Sequence, residues 1–220
     1  MNEPLLECVE RGPRTARGTV IWLHGLGADG HDFEPIVDEL GLPDLRFVFP
    51  HAPVMPVTIN GGLPMRAWFD IVGLALDAPQ DDAGIRASAA AVTRLIDAET
   101  SRGVPSERIV LAGFSQGGAV ALHTALREPR RLAGVIGLST FLPLADLLSA
   151  EKSEANAGLP ILLAHGDADN VIPIRMAEVS RERLEREGYA VEWHRYPIAH
   201  TVSFDEVRDI ARWLAARFAD

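Results

Sequence analysis

Gly113-Phe114-Ser115-Gln116-Gly117 stands between an apolar run at 109–112 and an alanine-rich stretch that starts at Ala119. A strand that turns abruptly into a helix forces the residue at the turn into strained backbone. Side chains two positions to either side would collide there, so glycines are needed. Such a turn presents the Ser115 hydroxyl at a sheet edge and aims the Gln116 amide, at a helix N-terminus, to where an oxyanion would develop. Gly-x-Ser-x-Gly recurs by chance, and it is the strand before it and the helix after it that give it weight. No lysine or arginine sits in the turn to pair with phosphate, as a P-loop would require. The chemistry predicted is nucleophilic acyl transfer.

A serine hydroxyl is a weak nucleophile until a base takes its proton. On this kind of turn the partners follow in the chain order Ser, Asp or Glu, His. That order sets aside His24, His31 and His51, which precede the serine, and His123 lies too far along the helix to turn back. His165 follows a strand directly and precedes Asp167 and Asp169, so neither of these could stand between it and the serine, and His194 falls inside a strand pattern. His200, in the loop before the last helical stretch, remains as base. The acid is sought at 165–173, His-Gly-Asp-Ala-Asp-Asn-Val-Ile-Pro. Spacing leaves both aspartates open and favours Asp169, because Asp167 follows the turn glycine so closely that capping the turn suits it better. A second oxyanion donor is expected from the loop after an early strand, where glycines on both sides of Leu26 let its amide face the site. His24 is expected to fix that loop by hydrogen bonds.

The elements that must hold these residues are legible as alternation. Apolar runs at 19–23, 46–49, 108–112, 133–138 and 161–164, and a more alternating one at 191–196, read as strands, most of them buried on both faces as in a parallel sheet. Helical spacing runs through Ile85, Ala89, Val92, Leu95 and Ile96, through Met176, Val179 and Leu184, and through Val207, Ile210, Leu214 and Phe218. Asp81 and Asp82 suit capping of the first of these helices. The pattern predicts an α/β chain, a doubly wound and mostly parallel sheet with helices on both faces and sites beyond the carboxyl ends of the strands.

At 220 residues, 47% hydrophobic and 24% charged, the chain fits a single domain over 1–220 with an ordinary core. The formal charge of −10 disfavours nucleic acid and adhesion to anionic lipid. One cysteine, Cys8, permits no intrachain disulfide, and neither a signal peptide nor a membrane-spanning run is visible. The expectation is a cytoplasmic protein without stable membrane insertion. No clustered Cys/His suggests a metal, and the dinucleotide fingerprint is absent, so no cofactor is expected.

The segments 23–30 (Leu-His-Gly-Leu-Gly-Ala-Asp-Gly), 113–119 and 165–173, and the His200 segment, together with Ala67-Trp68-Phe69-Asp70-Ile71 and Asp82-x-Gly84-Ile85, resemble the phospholipase/carboxylesterase family, which includes bacterial carboxylesterases and acyl-protein thioesterases. The resemblance runs in order from about Val20 to the C-terminus. It implies Ser115 as nucleophile, Asp169 as orienting acid, His200 as base, and the amides of Leu26 and Gln116 as oxyanion hole. It further implies an α/β-hydrolase fold with minimal or no lid, a hydrophobic acyl cleft, no cofactor, and frequent homodimers. The region 60–66 departs from the pattern at Pro64 and Arg66 and is expected to form a substrate-side loop. Met65, Trp68, Leu74, Phe141 and Val171 are candidates to line the cleft, with ordinary core packing as the alternative for each. The substrate expected is a small-molecule ester of small to medium acyl chains; the alternative is a long-chain acyl thioester or lysophospholipid.

Overall fold

The computed structural model describes residues 4–73 and 78–219. The chain runs through β1 (Cys8–Arg11), β2 (Gly18–Leu23), α1 (Ile36–Leu40), β3 (Leu45–Pro50), β4 (Val54–Val57), β5 (Leu63–Arg66) and α2 (Asp82–Ser101). It continues through β6 (Ile109–Phe114), α3 (Gln116–Arg127), β7 (Gly134–Leu138), α4 (Leu148–Glu151), β8 (Ile161–Gly166), α5 (Ile174–Arg186), β9 (Val191–Tyr196) and α6 (Phe204–Arg217). The main sheet has the order β1-β3-β2-β6-β7-β8-β9; β1 is antiparallel to β3 and every other pairing is parallel.

Burial explains why the runs read as continuous. Every residue of β2, β3, β7 and β8 is buried, because helices cover both faces. Ile21, Leu23, Leu111 and Val135 point into one core with residues of α2 and α3, while Val20, Trp22, Val110 and Ile136 point into the other with residues of α6. The result is a doubly wound α/β-hydrolase sheet. Asp81 caps α2, its side chain accepting from the Gly84 amide, as the paired aspartates predict. Among the described residues no helix is long and apolar enough to cross a membrane.

Two elements were not anticipated. β1 adds an antiparallel edge, and β4 and β5 form a separate two-stranded arm where a loop was expected. Pro56 stands opposite Pro64 in the arm. The carbonyl of Arg66 accepts from the Gly27 amide at 2.9 Å, and its guanidinium donates to the Ala52 carbonyl at 2.8 Å. The arm is therefore fastened to the loop after β2.

α6 begins with a capping box: the Ser203 hydroxyl accepts from the Glu206 amide, and the Glu206 carboxylate accepts from the Ser203 amide. Glu206 is 1% exposed, and burial raises its pKa to about 7. The unfolded chain releases this proton from about pH 4.5, whereas the folded protein holds it until about pH 7. Stability is therefore lost as pH rises through that window, and the loss is complete above it. Glu206→Gln keeps the cap without the charge. In urea unfolding it should gain on the order of 2–3 kcal/mol over the parent at pH 8 and nothing at pH 4. Equal gains at both pH values would show that Glu206 does not titrate in this window.

Candidate active site

Ser115 follows β6 and precedes α3 with φ 53° and ψ −121°, a conformation L-residues seldom adopt. Its amide donates to the Leu138 carbonyl at 2.8 Å and its carbonyl accepts from the Thr140 hydroxyl at 2.6 Å, so neighbouring β7 and the loop after it hold the turn in place. The two flanking glycines are explained by different contacts. A Cβ on Gly113 would lie 2.4 Å from the Gly117 backbone, a collision within the turn. A Cβ on Gly117 would lie 2.5 Å from the carbonyl oxygens of Leu23 and His24, so the start of α3 is pressed against the end of β2.

The loop after β8 carries Asp169, whose Oδ1 accepts from the amides of Val171 and Ile172 at 2.9 and 2.8 Å. The other oxygen, Oδ2, accepts from His200 Nδ1 at 2.7 Å. The Asp169 side chain is fully buried, so its orientation is fixed by these partners. A proton on Nδ1 leaves His200 Nε2 able to accept one. Asp167 is placed elsewhere, half exposed and paired with Arg195 at 2.7 Å. Behind Asp169, buried His165 donates from Nε2 to the Ile172 carbonyl at 2.8 Å and lies 3.4 Å from Asp169 Oδ2; burial lowers its pKa.

Leu26 lies in the loop after β2. His24 Nε2 accepts from the Ala52 amide at 3.0 Å, which places its proton on Nδ1, 2.7 Å from the Gly25 carbonyl it donates to. Burial lowers the His24 pKa. The Trp68 indole donates to the His24 carbonyl at 2.9 Å. The neighbouring amides are committed: Gly27 to the Arg66 carbonyl and Ala28 to the Gly25 carbonyl. Gln116 opens α3, where amides have no carbonyl one turn back. Its side chain has a second task that the motif did not reveal. It accepts from the Trp68 amide at 2.8 Å and donates to the Phe69 carbonyl at 2.6 Å, clamping the segment before α2 to the serine turn.

Ser115, His200 and Leu26 line one groove of about 310 Å³. Ile59, Ile71, Phe114, Val171 and Ile172 give it apolar walls, and Asp32 and Asn60 are its polar additions. Of the residues named in advance for the cleft, Val171 lines it. Trp68 is instead core, 2% exposed beneath the Leu26 loop, because its indole N–H finds its acceptor there. Phe141 lines a different groove, between the loop after β7 and α5. Met65 lies in β5 beside Asn60, whose side-chain amide donates to its sulfur at 3.1 Å, and Leu74 lies outside the described residues. Ile59, Ile71 and Asp32 were missed: they come from irregular segments, where periodicity says nothing about side-chain direction. Among the described residues no group of three or more His, Cys, Asp and Glu side chains is arranged to hold a metal. An imidazole held by a buried carboxylate, in one groove with a strained serine and a helix N-terminus, has the parts for base-assisted acyl transfer.

A family model described as Phospholipase/Carboxylesterase matches residues 6–217. Acyl-protein thioesterase 1 of Yarrowia lipolytica is 40% identical over 204 residues, 89% of this chain and 90% of its own. The protein of the same name from Neurospora crassa is 40% identical over 220 residues, 93% of this chain and 89% of its own. The crystal structure of Zea mays acyl-protein thioesterase 2 superposes with a TM-score of 0.88 at 33% identity, covering 97% of this chain and 99% of that one.

Proposed function

The chain belongs to the phospholipase/carboxylesterase family of serine hydrolases, and on that premise we propose that it hydrolyses acyl thioesters of long apolar chains. One observation carries the reading: the groove that holds Ser115 and His200 is walled by Ile59, Ile71, Phe114, Val171 and Ile172. The names of the curated relatives support the thioester over the short oxygen ester first expected. At about 310 Å³ the groove is at the small end of ligand pockets (roughly 300–1,000 Å³), so a long chain would fill it.

In the proposed cycle, His200 Nε2 takes the Ser115 hydroxyl proton as Oγ bonds to the thioester carbon. The carbonyl electrons move onto oxygen, which the amides of Leu26 and Gln116 receive; losing one such donor typically costs about 3 kcal/mol of transition-state stabilisation. The intermediate collapses, the carbon–sulfur bond breaks, and the departing thiolate takes the proton from His200. Water then repeats the sequence on the acyl-serine and releases the acid. Asp169 keeps the imidazole in the productive tautomer and stabilises its charged form throughout.

Hydrolysis of S-acyl and O-acyl substrates from two to sixteen carbons tests the reading. The expected result is kcat/KM rising with chain length to a maximum beyond eight carbons, with thioesters preferred. A maximum at acetyl or butyryl esters would return the function to short-chain ester hydrolysis.

A further inference from the structure

The groove contains two ionisable side chains, His200 and Asp32, and the proposed cycle gives no role to the second. Asp32 is exposed, and among the described residues its carboxylate has neither an ion pair nor a hydrogen-bond donor. The adjacent His31 contacts Glu34 at 2.9 Å, and Arg11 pairs with Glu34 and Asp38 rather than with Asp32. The position is held rigidly. The Asp32 amide donates to the Asp29 carbonyl, the His31 amide to the Asp29 side chain, and the Gly30 amide to His51 Nδ1. Partial burial and the neighbouring Asp29 raise the pKa of Asp32, as befits a carboxylate without a counter-ion.

Ring contacts place this acid relative to the reaction. Phe33, the next residue, lies 5.6 Å from Phe114, and Phe114 lies 4.7 Å from the His200 imidazole. The segment of Asp32 thus packs on the histidine's side of the groove, whereas Ile59 comes from the turn that joins β4 to β5 and Ile71 from the segment after β5. A base that returns its proton to the departing sulfur or oxygen requires the leaving group to be on that same side. An apolar acyl chain laid there would cover an unpaired carboxylate, which is unfavourable.

We infer that Asp32 selects leaving groups that carry positive charge, a quaternary ammonium or a basic side chain next to the acylated thiol. The inference rests on the thioesterase reading for its substrate and on the groove's own charge for its direction. An exposed attraction of this kind is modest, about threefold for each step from anion to neutral to cation, or about tenfold overall.

The test compares S-octanoyl esters of thiocholine, 2-mercaptoethanol and 3-mercaptopropionate, which share an acyl chain and differ in leaving-group charge. In the parent kcat/KM should fall in that order. The cation-to-anion ratio, which cancels any general loss of activity, should fall severalfold in Asp32→Asn and further in Asp32→Lys; intrinsic leaving-group reactivity is the same for all three proteins and cancels in this comparison. The ratio should also shrink as salt is raised. A ratio unchanged in Asp32→Asn overturns the inference. Calorimetric binding of decyltrimethylammonium and decanesulfonate, below their micelle concentrations, measures the same preference without turnover. Parent protein that binds the ammonium more tightly, and loses that preference in Asp32→Asn, supports the inference even if no thioester is cleaved; cleavage of none would sink the thioesterase reading alone.

Discussion

Ser115→Ala is expected to lower kcat/KM for an octanoyl thioester by at least about 10⁴-fold, with no loss of folded protein. The proposed chemistry begins with a bond to Oγ, and no neighbouring hydroxyl takes its place: Thr140 is buried and its hydroxyl is bonded to the Ser115 carbonyl. Labelling by a fluorophosphonate should disappear in the same variant. Stability supplies an independent reading of the turn. With φ at 53°, serine and alanine bear the same strain and should unfold at similar urea concentrations. Ser115→Gly, equally inactive, should be more stable than either by about 1 kcal/mol, because glycine adopts positive φ without penalty. Turnover or labelling that survives in Ser115→Ala would move the nucleophile elsewhere.

Asp169→Asn should cost about 10⁴-fold in kcat with little change in KM. The amide can offer its N–H to His200 Nδ1, which would drive the imidazole proton to Nε2 and remove the acceptor that the serine needs. Asp167→Asn should change kcat less than twofold. Its ion pair with Arg195 is half exposed, and pairs of that kind contribute about 0–1 kcal/mol. The two substitutions alter the same short loop by the same chemistry, so their ratio tests the assignment of the acid. A larger loss in Asp167→Asn would reassign it.

The parallel strands were legible because burial on both faces makes a run such as 161–164 apolar throughout, and the helices because one stripe faces the sheet. β1 was not: Cys8-Val9-Glu10-Arg11 is four residues long at a sheet edge, too short for any period to emerge. The β4–β5 arm was hidden by its prolines, which argue against a strand in sequence and are accommodated here in a two-stranded ribbon. Within the site, chain order could nominate Asp167 or Asp169, but which one meets His200 depends on where the loop after β9 returns. Trp68 illustrates the opposite difficulty. Its size says that it is buried without saying against what, and the answer, the His24 carbonyl, lies 44 residues away. The Gln116 side chain, bonded across a similar gap, was equally invisible to the motif that contains it.

The paired prolines of the arm have a further consequence, for coexistence with other chains at high concentration. Val54 and Leu63 on the arm are each 63% exposed, and a short apolar ribbon with open edges is ordinarily a template for strand addition and aggregation. Ala67 donates to the Pro53 carbonyl. In an antiparallel ladder that bond places Pro56 and Pro64 at a pair whose N–H groups would face outward. Neither residue has one. The Arg66 carbonyl, which also faces outward, is already taken by Gly27. A foreign strand approaching either edge therefore meets a missing donor, and on the β5 side an occupied acceptor as well. The arm can expose greasy side chains beside the groove while giving amyloid-type stacking little backbone to grip.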